Sequence, residues 1–277
     1  MINLVAVFAD TEKIYNNSEY LKNAVENTIK NQYIVSDNSQ IKPFDKTPKY
    51  AQPAKVFVSM KRSFQAAENY KNEKVCVLNF ASARHAGGGV KTGARAQEEC
   101  LCRCSTLYFA ISEKNTVKNF HQKHDFMVRN GQMDLTYNDD CIFSPDIVVF
   151  KSDEGAYKYL PEDKQYQVDV ITCAAPNLNR LCNFGGITES KLREIHESRA
   201  RRILDVAKSE NEEVLVLGAF GCGAFRNPPE IVADVWAKVL QDYLYDFKTV
   251  EFAIVSNPSK PSDNFIAFQR TFKKYFK

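Results

Sequence analysis

The sequence predicts an α/β fold in which helices cover both faces of a buried sheet, a three-layer α/β/α sandwich. Short apolar segments alternate with longer stretches of helical pattern along most of the chain. Segments such as Val214-Leu215-Val216-Leu217 are apolar at every position, which is typical of strands covered on both sides. With 277 residues, 44% of them hydrophobic and 26% charged, the chain is long enough to bury a sizeable core.

The elements follow in order once the pattern becomes regular near residue 54. Strands are predicted at 55–58, 75–80, 146–150, 168–174, 214–219 and 250–255. Helices are predicted at 18–30, 61–71, 95–110, 188–209, 229–244 and 262–274. The proline-containing segment 31–53 and the polar segment 112–145 are predicted to be irregular. We therefore divide the chain into an N-terminal extension, residues 1–53, and a main domain, residues 54–277.

Composition excludes several classes of protein. A net charge of +3 is too small to indicate direct nucleic-acid binding. No apolar run approaches the roughly 18 residues of a membrane span, and residues 1–9 make a poor signal peptide. The cysteines lie at positions 76, 100, 102, 104, 141, 173, 182 and 222. They form no Cys-x-x-Cys pair, so we predict no metal site and an intracellular protein, cytoplasmic or nuclear, with reduced thiols.

The most informative segment is 87–99, a glycine-rich loop that runs into two adjacent carboxylates. It reads Gly-Gly-Gly-Val-Lys-Thr-Gly-Ala-Arg-Ala-Gln-Glu-Glu and lies between the strand at 75–80 and the helix at 95–110. Glycines let backbone N–H groups approach an anion, and a helix N-terminus favours one. Glu98 and Glu99 add acid/base chemistry beside that anion. Taken alone, the segment also fits a tight turn followed by a solvated pair of glutamates.

A second glycine loop, residues 218–229, follows the strand at 214–219. It reads Gly-Ala-Phe-Gly-Cys-Gly-Ala-Phe-Arg-Asn-Pro-Pro and leads into a predicted helix. We predict Asn227 as the N-cap of that helix, with Glu230 completing a capping box. The loop is neither a Walker A loop nor a Rossmann fingerprint. Two glycine loops at strand ends suit a ligand with two phosphates and a sugar between them, lying across the sheet edge.

The first loop resembles a family signature. A Gly-Gly-Gly, a spacer of a few residues and Gln-Glu-Glu is the signature of the poly(ADP-ribose) glycohydrolases, and here the spacer is residues 90–96. The segments 79–82 and 93–99 resemble the bacterial-type branch, whose core is a macrodomain with a mixed sheet. Family members often carry Pro just before the glycines, whereas this chain has His85-Ala86. That difference leaves the glycines and the carboxylates intact.

The resemblance implies roles for individual residues. It implies Glu99 as the catalytic acid and Glu98 as the group that orients the sugar. It also places Phe225 against a ribose, although a core phenylalanine beside a turn fits equally well. Asn79 could bond a sugar or cap its strand. The residues expected to bind substrate are Gly87, Gly88, Gly89, Gln97, Asn79, Ser82, Gly221, Cys222, Gly223, Ala224 and Phe225.

The function that follows is hydrolysis of the ribose–ribose O-glycosidic bonds of poly(ADP-ribose), which releases ADP-ribose and needs neither a cofactor nor a metal. The expected partners are ADP-ribose, its polymer and ADP-ribosylated proteins. Hydrolysis of single ADP-ribosyl units on proteins or small molecules is the first alternative. A binding macrodomain without turnover is the second, and the intact Gln97-Glu98-Glu99 argues against it.

The two carboxylates cannot form an equivalent facing pair. Adjacent helical residues diverge by roughly 100°, so we expect each carboxylate to have its own task. A general acid must hold a proton, whereas a helix N-terminus favours the ionised form. Burial and a neighbouring negative charge would have to raise the pKa.

Overall fold

Among the residues that the structure describes, the strands form one seven-stranded sheet. The computed structural model describes residues 2–36, 41–45, 47–181 and 186–276; Cys182 lies outside them. The strands are β1 (Tyr33–Val35), β2 (Lys55–Ser59), β3 (Val75–Phe80), β4 (Cys141–Val149), β5 (Tyr166–Cys173), β6 (Val214–Leu217) and β7 (Thr249–Ala253). Their spatial order is β1-β4-β5-β3-β6-β7-β2. β4 runs antiparallel to β1 and β5, and the other pairs are parallel, so the sheet is mixed.

Helices cover both faces of this sheet. They are α1 (Leu4–Asn17), α2 (Glu19–Asn31), α3 (Ser63–Ala67), α4 (Gln97–Cys104), α5 (Leu107–Ile111), α6 (Lys114–Thr116), α7 (Lys123–Arg129), α8 (Leu178–Leu181), α9 (Glu189–Ser209), α10 (Pro229–Val239) and α11 (Asp263–Tyr275). Alternate side chains of β3 enter separate apolar clusters, Leu78 on one face and Val77 on the other. The predicted three-layer α/β fold is therefore confirmed. Within the described ranges, no helix has the length and apolar character to cross a bilayer.

The helix predicted at 95–110 is interrupted. α4 ends at Cys104 and α5 starts at Leu107, because the backbone between them bonds to strand β4. Ser105 forms a bridge with Val149, and the Thr106 N–H donates to the Val148 carbonyl at 3.0 Å. The prediction of one continuous helix was wrong because the competing bonds come from a strand about 40 residues away in the sequence.

The segment predicted as irregular at 112–145 was also wrong in part. It contains α6, a π-helical segment (Val117–Gln122), α7 and the first residues of β4. The buried residues of this run include Phe120, His121 and His124. Two of these three are histidines, so the hydrophobic periodicity that marks a packed helix is weak in the sequence.

The N-terminal region contributes two elements that the sequence pattern did not reveal, α1 and β1. β1 pairs with β4 at the edge of the sheet. In α1, Phe8 and Thr11 are buried, and the Thr11 hydroxyl donates to the Arg103 carbonyl of α4 at 2.7 Å. α1 therefore packs against the segment that carries the first glycine loop. The division of the chain at residue 53 stays a prediction.

Parallel pairing places both glycine loops at one edge of the sheet. β3 lies directly beside β6, and the two run in the same direction. The first loop leaves the carboxyl end of β3, and the second leaves the carboxyl end of β6. Loops at the carboxyl ends of adjacent parallel strands share one crevice. The sheet thus brings together two segments that are more than 120 residues apart.

Glu212 lies at the opposite edge of the sheet, before β6, and its side chain is fully buried. Burial, then the charge of Asp169 and a hydrogen bond to it, raises the Glu212 pKa well above its ordinary value; Lys74 Nζ, 3.8 Å away, offsets this only in part. The folded state therefore prefers the neutral acid. The free energy of unfolding therefore decreases as pH rises from the pKa of Glu212 in the unfolded state through its pKa in the folded state.

We expect Glu212→Gln to raise Tm at pH 8 and to leave it almost unchanged near pH 4. The amide keeps the size of the side chain and removes the buried charge. For a chain of this size, each kcal/mol gained raises Tm by about 2–4 °C. Thermal unfolding at the two pH values measures the effect. An equal shift at both pH values would show that the Glu212 charge is not its cause.

Candidate active site

The crevice between the two loops is a cavity of about 400 Å³. Of the residues expected to bind substrate or act on it, nine line the cavity: Ser82, Gly88, Gln97, Glu98, Glu99, Gly221, Gly223, Ala224 and Phe225. Four others, Asn79, Gly87, Gly89 and Cys222, lie close by in the same strand and loops without lining it. The tertiary structure therefore gathers both predicted loops and both carboxylates around one space.

Gly88 is the point where the first loop meets the carboxylates. Its φ is +57°, in the left-handed region that favours glycine. A Cβ at Gly88 would lie 2.5 Å from Glu99 Oε1 and 3.0 Å from Glu98 Oε2. Both carboxylates therefore lie within about 3 Å of one point, in contact with the loop backbone. The glycine allows this approach, which any side chain would block.

Glu98 is the more deeply buried of the two carboxylates, with 2% of its surface exposed. The Ser82 N–H donates to its Oε2 at 2.8 Å, and Asn79 Nδ2 donates to its Oε1 at 3.4 Å. Burial raises the pKa of Glu98 to about 8, and the neighbouring Glu99 charge adds to the rise, while the bonds from Ser82 and Asn79 oppose it. Glu98 therefore holds its proton at neutral pH.

Glu99 presents one oxygen to the loop and keeps the other without a protein partner. The Gly89 N–H donates to Oε1 at 2.8 Å. Oε2 is buried and bonds to no protein group among the described residues. Buried polar atoms are normally satisfied, so an unpartnered oxygen on a carboxylate that lines the cavity is suited to meet a ligand group.

Gln97 ties the start of α4 to strand β3. Its Oε1 accepts the Phe80 N–H at 2.8 Å, and its Nε2 donates to the Leu78 carbonyl at 2.7 Å. These bonds occupy backbone groups at the end of the strand. Because the same helix carries Glu98 and Glu99 on its first turn, Gln97 sets where both carboxylates lie.

Asn79 is fully buried in β3. Its Nδ2 donates to Thr172 Oγ1 at 3.2 Å and to Glu98. Its role as a sugar-binding residue stays a prediction, since the structure places it beneath Glu98 rather than on the cavity wall. Ser82, two residues after the end of the same strand, does line the cavity.

Two glycines of the second loop, Gly221 and Gly223, have different roles. Gly221 has φ of +77°, and a Cβ there would lie 2.5 Å from the Ala175 Cβ and 2.6 Å from Asn227 Nδ2. Gly223 lines the cavity, and a Cβ there would meet no atom of the described residues within 4 Å. Gly221 is therefore required by the packing of the loop, whereas Gly223 leaves open space beside the cavity.

The predicted N-cap at Asn227 was wrong. α10 begins at Pro229 and its N-cap is Pro228. The Asn227 side chain instead donates to the Pro176 carbonyl at 2.8 Å and to the Gly221 carbonyl at 3.0 Å, and its Oδ1 lies 2.9 Å from His196 Nε2. These bonds pin the second loop to the end of β5, so Asn227 holds the loop rather than the helix.

Phe225 is half-buried and lines the cavity beside the second loop. Its carbonyl accepts the N–H groups of Leu178 and Asn179 at 3.0 and 3.2 Å. The backbone of Phe225 is therefore anchored while its ring is partly accessible. Cys222 is half-buried behind the same loop, and its Sγ donates to the Phe220 carbonyl at 3.7 Å.

Sequence reasoning missed a third wall of the cavity, which includes Arg62, Cys100 and Asp153. Arg62 Nη1 lies 3.3 Å from the Cys100 Sγ and 3.9 Å from Asp153 Oδ1. The Phe64 N–H donates to the other Asp153 oxygen at 3.2 Å. Arg62 follows parallel strand β2 and could have been found from that position. Asp153 follows an antiparallel strand and carries no local signal.

Residues 8–152 match the sequence model of the microbial-type PARG catalytic domain, where PARG is poly(ADP-ribose) glycohydrolase. This range spans just over half of the chain and includes the first glycine loop with both glutamates. The chain belongs to the microbial-type PARG family. The resemblance that the Gly-Gly-Gly and Gln-Glu-Glu motif predicted is thereby confirmed, and the chain is assigned to a family of glycohydrolases.

Solved PARG structures extend the likeness over almost the whole chain. The PARG of Thermomonospora curvata is 28% identical, covers 97% of this chain and 99% of its own, and gives a TM-score of 0.84. The same enzyme bound to the inhibitor ADP-HPD gives 0.79. The PARG of Deinococcus radiodurans in complex with ADP-ribose is 28% identical, with 90% and 97% coverage and a TM-score of 0.74. No curated protein matches the chain.

Proposed function

We propose that this chain hydrolyses the ribose–ribose O-glycosidic bonds of poly(ADP-ribose) and releases ADP-ribose. The observation that carries the proposal is the pair of buried glutamates held against Gly88 at the wall of a cavity of about 400 Å³. Solved relatives of the same family bind ADP-ribose or the inhibitor ADP-HPD. A module that only bound ADP-ribose would have no need of two buried carboxylates.

The proposed reaction uses a carboxyl proton and water. Glu99 donates a proton to the oxygen that leaves as the ribose C1–O bond breaks, and an oxocarbenium-like ribose forms. The ionised Glu99 then takes a proton from a water molecule, whose oxygen attacks C1. The unpartnered Oε2 of Glu99 supports this assignment. The diphosphate held by the loops stabilises the positive charge on the ribose.

In this scheme Glu98 orients the sugar and stays neutral beside Glu99. Its oxygens are engaged by Ser82 and Asn79, so its orientation is set before substrate arrives. Because its pKa is raised to about 8, the pair of carboxylates carries at least one proton at neutral pH. Glu98 is therefore a neutral group beside Glu99, and the proton that the reaction uses is the one on Glu99.

Turnover should therefore fall as pH rises through about 8. Above that pH Glu98 ionises, and the neutral group proposed to orient the sugar becomes charged. We expect Glu98→Gln, which mimics the neutral acid, to remove this alkaline limb from the pH profile of kcat. Rates measured from pH 6 to 10 for wild type and variant test the assignment. If the alkaline limb is unchanged in Glu98→Gln, it must arise from the ionisation of a group other than Glu98.

The proposed function is tested by incubation with poly(ADP-ribose) and, separately, with a mono-ADP-ribosylated protein. We expect free ADP-ribose from the polymer. Release from the mono-ADP-ribosylated protein alone would favour the alternative activity. As a check on binding, ADP-ribose at 100 times its Kd should add about 2.7 kcal/mol to the stability of the fold. Absence of both release and stabilisation would overturn the proposal.

We extend the proposal to the compartment and the physiological targets. Each cysteine that the structure describes is a free thiol, and most are buried. Free buried thiols suit a reducing compartment, which supports an intracellular location. The proposed targets there are ADP-ribosylated proteins. Labelling with a thiol reagent after denaturation measures whether the thiols of the natural protein are reduced.

A further inference from the structure

His121 lies outside the cavity and behind the segment that leaves β3. It belongs to the π-helical segment Val117–Gln122, which lies between α6 and α7. A π turn holds one more residue than an α turn, and such turns are frequent at functional sites. Here Phe120 and His121, which are adjacent, are both buried, as is His124 one turn later.

The His121 ring has a defined tautomer. Its Nδ1 lies 3.2 Å from the Ala83 carbonyl. A carbonyl oxygen can only accept, so Nδ1 carries the proton and donates. Burial, with smaller contributions from His124 and His85, lowers the His121 pKa to about 4. The ring is therefore neutral at neutral pH, and Nδ1–H is its single donor.

The bond between His121 and the Ala83 carbonyl is connected to Glu98 through the backbone of two consecutive residues, Ser82 and Ala83. The Ala81 N–H makes a bond to the neighbouring strand β5, at the Cys173 carbonyl. Beyond Ala81 the chain leaves the sheet. Ser82 donates its N–H to Glu98 at 2.8 Å, and the carbonyl of the following residue, Ala83, accepts from His121. The Ser82 amide is thus held between a residue of the sheet and the imidazole.

We propose that His121 is a positioning residue for the reaction: its Nδ1–H fixes the Ala83 carbonyl and so keeps the Ser82 N–H on Glu98. The inference rests on the proposed function for its effect on turnover. Its effect on Glu98 itself is independent of turnover. Loss of the Ser82 bond would remove an interaction that lowers the Glu98 pKa, so the pKa would rise further.

The test compares two polar variants of equal charge. In His121→Asn the amide nitrogen takes the place of Nδ1 and can still donate to Ala83, whereas in His121→Gln it takes the place of Nε2. We expect His121→Gln to lower kcat by about 10- to 100-fold, the loss that a misplaced catalytic group can cause, with KM almost unchanged. The alkaline limb should move to higher pH. In His121→Asn, kcat and the pH of the alkaline limb should both stay close to the wild-type values.

His124 offers the matched control. It is buried in the same run of helix, but its Nδ1 lies 2.7 Å from the Phe120 carbonyl and its Nε2 lies 2.8 Å from Asn138 Oδ1, away from the segment at 82–83. His124→Gln should lower Tm and leave the alkaline limb in place. If the effect of His121→Gln came from altered packing alone, His124→Gln would shift the alkaline limb as well.

The pKa of Glu98, measured by NMR of its carboxyl group, tests the same effect in the absence of substrate. We expect its pKa to be higher in His121→Gln than in wild type and His121→Asn. Equal Glu98 pKa values in the two His121 variants would overturn the inference. A wild-type protein that fails to cleave poly(ADP-ribose), with the Glu98 difference intact, would instead count against the proposed function alone.

Discussion

Glu99→Gln should lower turnover of poly(ADP-ribose) by about 10²- to 10⁴-fold, the usual contribution of a positioned acid or base. The amide keeps the shape of the side chain and removes the proton donor. It can still meet the Gly89 N–H through its oxygen, as Glu99 Oε1 does at 2.8 Å. ADP-ribose affinity should stay nearly unchanged, because the Glu99 proton acts mainly in the transition state. Single-turnover kinetics and calorimetry measure the two quantities.

Glu98→Gln is the matched control for this prediction. It changes the adjacent residue in the same way, and it replaces a carboxyl group that is already neutral at neutral pH because its pKa is about 8. Its loss of turnover at pH 7 should be much smaller than that of Glu99→Gln. The reverse order would assign the acid to Glu98 and contradict the role proposed for Glu99.

Gly223→Val should weaken ADP-ribose binding by about 10- to 100-fold and lower turnover to a similar extent. Gly223 lines the cavity, and within the part of the chain that the structure describes a Cβ there would meet no atom within 4 Å. The branched side chain therefore fills space that a ligand needs without disturbing the protein. Forcing extra atoms into an occupied space typically costs about 1–3 kcal/mol, and 1.4 kcal/mol corresponds to a tenfold change in affinity.

Gly155→Val controls for the substitution itself. Gly155 likewise has no atom of the described ranges within 4 Å of an added Cβ and no positive φ, but it is not among the described residues that line the cavity. Its binding of ADP-ribose, measured by calorimetry, should equal that of wild type. If Gly223→Val also binds normally, the second loop does not hold the diphosphate.

Local patterns in the sequence were enough to place the first glycine loop between β3 and α4. An apolar run, three glycines and a following helical pattern identify each part without knowledge of the rest of the chain. The second loop followed from the same reasoning, and most strand positions agreed within a few residues. The Gln-Glu-Glu motif also predicted the family, because its residue types and spacing are specific.

Errors arose where distant segments compete for backbone or side-chain groups. Asn227 has the local pattern of an N-cap, but its Oδ1, the atom that would accept from the helix, lies 2.9 Å from His196 Nε2. Ser105 interrupts a predicted helix because it bridges to Val149. Asp153 reaches the cavity wall from the region after β4. Each outcome depends on a partner far away in the sequence, so no window of neighbouring residues could reveal it.

By itself the sequence determined the chemical groups of the site, their chain order and the family. Only the tertiary structure decided which glutamate is buried more deeply and therefore has a pKa of about 8, and which glycine faces open space. The physical reason is that a pKa and a steric clash are set by all the atoms around a group. Around Glu98 and Gly223 those atoms come from strands that are distant in sequence and adjacent in the sheet.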